Sequence, residues 1–183
     1  MKICYTRRFS RNVGGIDMSS RLLDRVLSEV CGLPRGTPVE KGTHGKPAVD
    51  SSFGVHFSIT DTGNIWLCST ASYENGLDAE FYRRSVAEPD LLAERFLTEP
   101  ECRVVKTAGS KGDRSFQFVY LWTRKEAYLK YTGRGLGALS SAPPILVPPE
   151  GTDLKTFVNE GLFISVCAPE GSLNEGVDFT SLD

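Results

Sequence analysis

The stretch from Phe116 to Leu136 reads Phe-Gln-Phe-Val-Tyr-Leu-Trp-Thr-Arg-Lys-Glu-Ala-Tyr-Leu-Lys-Tyr-Thr-Gly-Arg-Gly-Leu. At 100° per residue, Phe118, Leu121, Trp122, Tyr128 and Leu129 fall on one stripe, the pattern of a helix packed against a core. Lys125 falls in the middle of that stripe. An ammonium there is costly unless a negative group meets it, or unless its stem runs over apolar surface and frees the head. Glu126 and Lys130 lie four apart at the stripe's edge, where alone they read as a surface pair contributing about 0.2–0.5 kcal/mol. Gly133-Arg134-Gly135 ends the helix.

Upstream of this helix, Met1 to Tyr5 reads as a short strand. Leu22, Leu23, Val26, Leu27, Val30 and Cys31 repeat at helical spacing until Gly32 and Pro34 stop them. Residues 34 to 54, rich in Gly, Pro, Thr and Lys, are expected to form an extended loop carrying Gly45-Lys46-Pro47. Val55 to Ile59, Ile65 to Ser69 and Leu77 to Tyr82 read as a three-strand meander, with Glu74-Asn75-Gly76 as a hairpin turn. Glu88 to Leu97 is a short helix ending before Pro100, and residues 106 to 115 read as a Lys, Gly and Ser loop. Beyond the long helix, four prolines between Ser140 and Gly151 exclude regular structure there. Leu154 to Val158 and Leu162 to Ala168 then form a hairpin about Asn159-Glu160-Gly161, and residues 169–183 read as a loose polar tail. Helix followed by strands occurs twice, hinting at two related lobes, an N-terminal one of about residues 1–82 and a C-terminal one of about 83–168.

With 183 residues, 40% of them hydrophobic, and a net charge of -2, the chain is expected to bury a real core as an ordinary soluble domain. The charge balance gives no support to general nucleic-acid binding. Arg7, Arg8, Arg11, Arg21 and Arg25 can form a local basic patch suited to a phosphate-bearing small ligand. Five scattered cysteines without a Cys-x-x-Cys pair read as reduced thiols, and no apolar run has the length of a membrane span or a signal segment, so the cytoplasm is the expected address. Two histidines, His44 and His56, are too few for the usual zinc or Cys-His chemistry.

On a strand, Asp78 and Glu80 point to one face and Leu77 and Ala79 to the other. Alone, that is also how the polar side of an amphipathic strand reads. Joined by Glu126, the two carboxylates form a cluster of about -3. Such a cluster is tolerable around a divalent cation, and oxygen ligands with open positions favour magnesium bound together with substrate phosphates.

In this order along the chain, Gly45-Lys46-Pro47, His56-Phe57-Ser58-Ile59-Thr60, Gly76-Leu77-Asp78-Ala79-Glu80 and Trp122-Thr123-Arg124-Lys125-Glu126-Ala127-Tyr128-Leu129-Lys130 resemble the Sfp-type 4'-phosphopantetheinyl transferases. Ser20-Arg21-Leu22-Leu23, Arg95-Phe96-Leu97-Thr98 with Glu101, and Gly133-Arg134-Gly135-Leu136 are weaker matches, and the likeness spans residues 20 to 136. The resemblance implies a pseudo-twofold, two-lobed α+β fold with the active site between the lobes. It implies transfer of the 4'-phosphopantetheine arm of coenzyme A to a serine of an acyl or peptidyl carrier protein, releasing adenosine 3',5'-bisphosphate. The partners are then coenzyme A and the carrier, with no nucleic acid and no membrane, and a monomer suffices. By the same resemblance Asp78, Glu80 and Glu126 are the Mg2+ ligands, Lys130 stabilises the leaving phosphate, and Lys125 supports it and faces the phosphates. Glu126 is the first choice of general base and Glu101 the second. Lys46, Arg21 and Thr60 are the candidate coenzyme A contacts. One departure stands out: where the family usually shows Asn-x-Ser-His-Ser, this chain has Ser58-Ile59-Thr60-Asp61-Thr62, so an acid replaces the histidine that meets the 3'-phosphate. That altered segment makes a non-catalytic module binding coenzyme A or carrier proteins the alternative.

Overall fold

The computed structural model describes residues 1–42 and 44–183; Thr43, in the expected 34–54 loop, lies outside them. Strand β1 (Lys2–Thr6) precedes α1 (Met18–Glu29), and β2 (His56–Thr62), β3 (Ile65–Ala71) and β4 (Gly76–Phe81) follow the loop. Helices α2 (Pro89–Phe96), α3 (Glu99–Thr107) and α4 (Lys111–Thr132) come next, then the hairpin β5 (Thr152–Asn159) and β6 (Leu162–Pro169), and finally β7 (Asp178–Ser181). These strands form two main sheets, one in the order β7-β1-β3-β2 and one in the order β4-β6-β5, and two short ladders pair residues 12–13 with 16–17 and 40–41 with 47–48.

Strand alternation builds the layers. Cys4, Phe57, Trp66 and Cys68 pack against Leu23, Val26 and Leu27 of α1, covering one face of the first sheet. From its other face, Ile3 and Leu67 join Leu77, Ala79, Ile164 and Val166 of the second sheet in a shared core. The remaining face of the second sheet, with Phe163 and Cys167, packs on Phe118, Val119, Leu121 and Ala127 of α4. Each large apolar side chain buried in this way contributes about 1.5–3 kcal/mol. The order of layers is therefore α1, first sheet, second sheet, α4. Asp78 and Glu80, alternating with Leu77 and Ala79, turn away from the sheet-to-sheet core toward the side that carries α4.

The structure departs from the sequence reading in four places. First, β4 does not continue the meander. It pairs antiparallel with β6, with Asp78 opposite Ser165, so the hydrogen bonding does not divide the chain at residue 82. Hairpin-turn chemistry at Glu74-Asn75-Gly76 reverses the chain without deciding which edge the next strand joins. Second, Pro100 begins a helix as well as following one. It occupies the first turn of α3, where a missing N–H costs nothing, and the Glu101 carboxylate reaches back to the Thr98 N–H at 2.6 Å. Third, α4 starts inside the expected 106–115 loop. The Ser110 hydroxyl accepts from the Asp113 N–H while the Asp113 carboxylate accepts from the Ser110 N–H, so the Ser and Gly residues read as loop formers belong to a capping box. Fourth, the tail is not loose. Main-chain bonds join β7 parallel to β1, and Phe179 packs edge-on against Phe157 with ring centroids 5.7 Å apart. Backbone pairing of a polar strand leaves little trace in side-chain composition.

Candidate active site

Gly76 brings the second sheet onto α4. A Cβ at this position would fall within the van der Waals envelope of the Ala127 carbonyl oxygen and the Tyr131 amide nitrogen. Without it, the start of β4 lies directly on the last turns of α4, and Asp78 reaches Lys130 two residues later. Asp78 is 4% exposed. Its Oδ1 accepts from Lys130 Nζ at 2.8 Å and from Thr60 Oγ1 at 3.0 Å, while its buried Oδ2 has no partner. Glu80 Oε2 accepts from Thr62 Oγ1 at 3.0 Å, and its Oε1 from Arg84 at 2.9 Å.

Thr60, Asp78, Glu80, Glu126 and Lys130 line one cavity of about 390 Å3, with Arg11 and Asp61 also on its wall. A larger cavity of about 690 Å3 adjoins it through Arg11, Ser19 and Ile59. A third, of about 470 Å3, adjoins it through Ile59, Glu126 and Lys130 and extends past Lys46 and Pro47 to Leu136. Lys130 therefore stands between the 390 Å3 and 470 Å3 cavities, and Arg11 between the 390 Å3 and 690 Å3 ones.

The electrostatics are those of crowded carboxyls. Burial first, and then the Asp78 charge, push the Glu126 carboxyl up to about 7, with Lys130 opposing and Glu80 adding to the rise. Burial also raises Asp78 above its ordinary value, against the pull of Lys130 and the Thr60 bond. Among the described residues, no three His, Cys, Asp or Glu side chains are already arranged to hold a metal ion. Even so, Asp78, Glu80 and Glu126 offer oxygen donors only, and Asp78 Oδ2 is a buried anionic oxygen without a donor. A hard divalent cation such as magnesium suits that donor set.

Several expected site residues lie elsewhere. Lys125 and Glu101 are both fully buried and are paired to each other, Nζ to Oε2 at 2.7 Å. Glu101 also accepts from the Thr98 N–H and hydroxyl and, through Oε1, from the Ile145 N–H at 2.7 Å. Its acceptor sites are occupied and closed to solvent, which removes it as a general base, and Lys125 does not face the cavity. Lys46 lines the 470 Å3 cavity, but its ammonium is held by Glu74 Oε2 at 2.6 Å and by the Asn75 carbonyl at 2.9 Å. Arg21 is exposed on α1 and lines none of the three cavities. Thr60 does reach the site, through Asp78.

Sequence reasoning passed over two residues. Arg11 was one basic residue among five, and only its position at the start of the short hairpin of residues 12–17 brings its guanidinium onto Asp61. Thr62 carried a usable signal: Thr60 and Thr62 share the two-residue period of Asp78 and Glu80.

A family model described as the 4'-phosphopantetheinyl transferase superfamily matches residues 75–168, just over half of the chain and the part that supplies Asp78, Glu80, Glu126 and Lys130. The chain belongs to that superfamily. It is similar to 4'-phosphopantetheinyl transferase HetI of Nostoc sp., 29% identical over 157 residues that cover 83% of this chain and 62% of that protein. It is also similar to 4'-phosphopantetheinyl transferase gsp of Aneurinibacillus migulanus, at 31% over 117 residues covering 63% of this chain and 46% of that protein. The third relative, 4'-phosphopantetheinyl transferase Sfp of Bacillus subtilis, is 25% identical over 153 residues covering 76% of this chain and 66% of that protein. The chain thus spans between about half and two thirds of the length of these curated relatives. Among the described residues, no helix is long and apolar enough to cross a membrane.

Proposed function

We propose that this chain transfers the 4'-phosphopantetheine group of coenzyme A to a serine of an apo acyl or peptidyl carrier protein, with Mg2+, releasing adenosine 3',5'-bisphosphate. It acts as a monomer in the cytoplasm. The observation that carries this reading is the meeting of Asp78 and Glu80 from β4 with Glu126 and Lys130 from α4 in one cavity, within the segment that matches the superfamily. On this reading the site lies between two pseudo-twofold lobes.

Asp78, Glu80 and Glu126 are the residues to hold Mg2+, which when bound neutralises diphosphate charge. Lys130 exchanges Asp78 for the leaving phosphate and stabilises the charge that develops there. The serine oxygen forms its bond to the β-phosphorus as the bond from that phosphorus to the bridging oxygen breaks, and the serine proton passes to the Glu126 carboxylate. Arg11, on the wall shared by the 390 Å3 and 690 Å3 cavities, is positioned for another phosphate of coenzyme A and takes over the part expected of Lys46 and Arg21.

The test is mass spectrometry of a panel of apo carrier proteins incubated with the protein, coenzyme A and Mg2+. One added phosphopantetheine per carrier is expected. Bound coenzyme A without transfer to any carrier overturns the transferase reading in favour of a binding module.

A further inference from the structure

Strands β2 and β4 are neighbouring edges of the two sheets, and among the described residues they share no main-chain ladder. Side-chain hydroxyls of alternate β2 residues span the seam. Ser58 Oγ accepts from the Leu77 N–H at 3.0 Å, Thr60 Oγ1 donates to Asp78 Oδ1 at 3.0 Å, and Thr62 Oγ1 donates to Glu80 Oε2 at 3.0 Å. The two-residue period of one strand matches that of the other, so each acidic side chain on β4 meets its own hydroxyl on β2.

We propose that Thr62 is a positioning residue for the acidic cluster: its hydroxyl fixes the Glu80 carboxylate in the rotamer that turns toward Asp78 and Glu126. The inference rests on the reading of these three carboxylates as cation ligands, and it concerns which groups prepare them. The partners of the cluster differ in what they do to its charge. Lys130 and Arg84 each cancel a negative charge by pairing with Asp78 and Glu80, and so compete with a cation. A hydroxyl donor holds one carboxylate oxygen in place and leaves the full negative charge for a cation. Thr60 and Thr62 are therefore the partners that remain compatible with an occupied site. Thr60 acts on Asp78, whose orientation Lys130 also secures. Among the described residues, Glu80 has only the exposed Arg84 besides Thr62, so its geometry depends more heavily on the hydroxyl. Arg84, four residues along and 60% exposed in its side chain, is a poor substitute, because an exposed pair orders its members weakly.

The experiment is a titration of the purified protein with Mn2+ alone, read by loss of the free-ion electron paramagnetic resonance signal, for wild type, Thr62→Val and Thr62→Ser. Thr62→Val is expected to weaken Mn2+ binding by roughly tenfold, the lower end of what loss of an outer-shell partner does, and Thr62→Ser to stay within about twofold of wild type. A second readout is the Mg2+ concentration that half-saturates transfer. It is expected to rise by a similar factor in Thr62→Val, while kcat at saturating Mg2+ changes by less than about twofold; a merely structural role would lower thermal stability and kcat without moving that concentration. Wild-type Mn2+ affinity and Mg2+ dependence in Thr62→Val overturn the positioning role alone. A wild-type protein that binds no Mn2+ at millimolar concentration overturns the ligand assignment and this inference together, while leaving carrier modification to be judged by its own assay.

Discussion

Helix α4 carries two lysine–carboxylate pairs five residues apart, and they behave as opposites. Lys125 and Glu101 are both 0% exposed in their side chains, while Lys130 is 29% and Asp78 6% exposed. Glu101 spends both oxygens on protein donors, whereas Asp78 keeps one oxygen buried without a donor. The first pair is saturated and closed, and ties α3 to α4. The second is under-satisfied and opens onto a cavity, so its members can change partners. What separates a closed ion pair from an exchangeable one here is whether every lone pair and proton is already used, and the identity of the residues does not decide it.

The largest expected effect breaks the closed pair. Lys125→Met leaves the Glu101 charge buried without its cation and is expected to cost about 3–5 kcal/mol in urea unfolding, with Glu101→Gln added to it, which removes the charge and keeps an acceptor for the Thr98 and Ile145 donors, restoring part of the loss. Lys130→Met, by contrast, should cost less, about 1–2 kcal/mol, because its ammonium is part-exposed and the Asp78 carboxyl beside the cavity can take up a proton. A cost for Lys125→Met as small as that would show the closed pair to be no different from the open one. In the transfer assay the ranking reverses: Lys130→Ala should lower kcat by about 10²–10³ while the protein stays folded, and unchanged transfer would remove Lys130 from the chemistry. Gly76→Ala should cost about 1–3 kcal/mol and most of the transfer activity, because β4 must move off α4 and carry Asp78 with it. A fully active, fully stable variant would show that the two elements need not touch.

The two environments also differ in how they respond to pH. Burial alone would push the Glu101 carboxyl up, but the bonds from Lys125, from the Ile145 N–H and from Thr98 outweigh it and hold it below its ordinary value. Its stabilisation is thus present above the unfolded value of about 4.3 and lost as pH falls from there through the lowered folded value. Glu126, raised to about 7, has the opposite sign: its contribution is present below about 4.3 and is lost as pH rises through about 7. In metal-free buffer, Glu126→Gln should therefore gain about 2–3 kcal/mol relative to wild type between pH 5 and pH 8. Parallel stability profiles for the two proteins would contradict the crowding of Glu126. The smallest effect concerns Asp61, which pairs with Arg11 at the cavity mouth. Asp61→Asn should tighten coenzyme A binding by about two- to fivefold at low salt, the size of an exposed ion pair, and no change in calorimetry would separate Arg11 from the ligand.

Much of this was legible in the chain. The apolar stripe of α4, the alternation of β4 and the end of the helix at Gly133 follow from local periods and turn chemistry, and the structure keeps all three. The lysine inside the stripe was legible as a buried charge in need of a partner. Its partner was not, because Glu101 sits on a helix whose first turn contains Pro100, and that proline reads equally well as the end of the helix before it. Strand β7 was missed for a different reason, since main-chain pairing to β1 does not depend on the polarity of its side chains.

By itself the sequence determined which residues share a face: Asp78 with Glu80, Lys125 with the apolar stripe, Thr60 with Thr62. Period alone settles that, at 3.6 residues in a helix and two in a strand. Only the tertiary structure decided which faces meet. It set β4 on α4 at Gly76, gave Lys130 to Asp78 and Lys125 to Glu101, and laid the hydroxyls of β2 beside the carboxylates of β4. Those contacts join residues 18 to 52 positions apart, and such long-range choices follow from packing complementarity, which no local window of the chain contains.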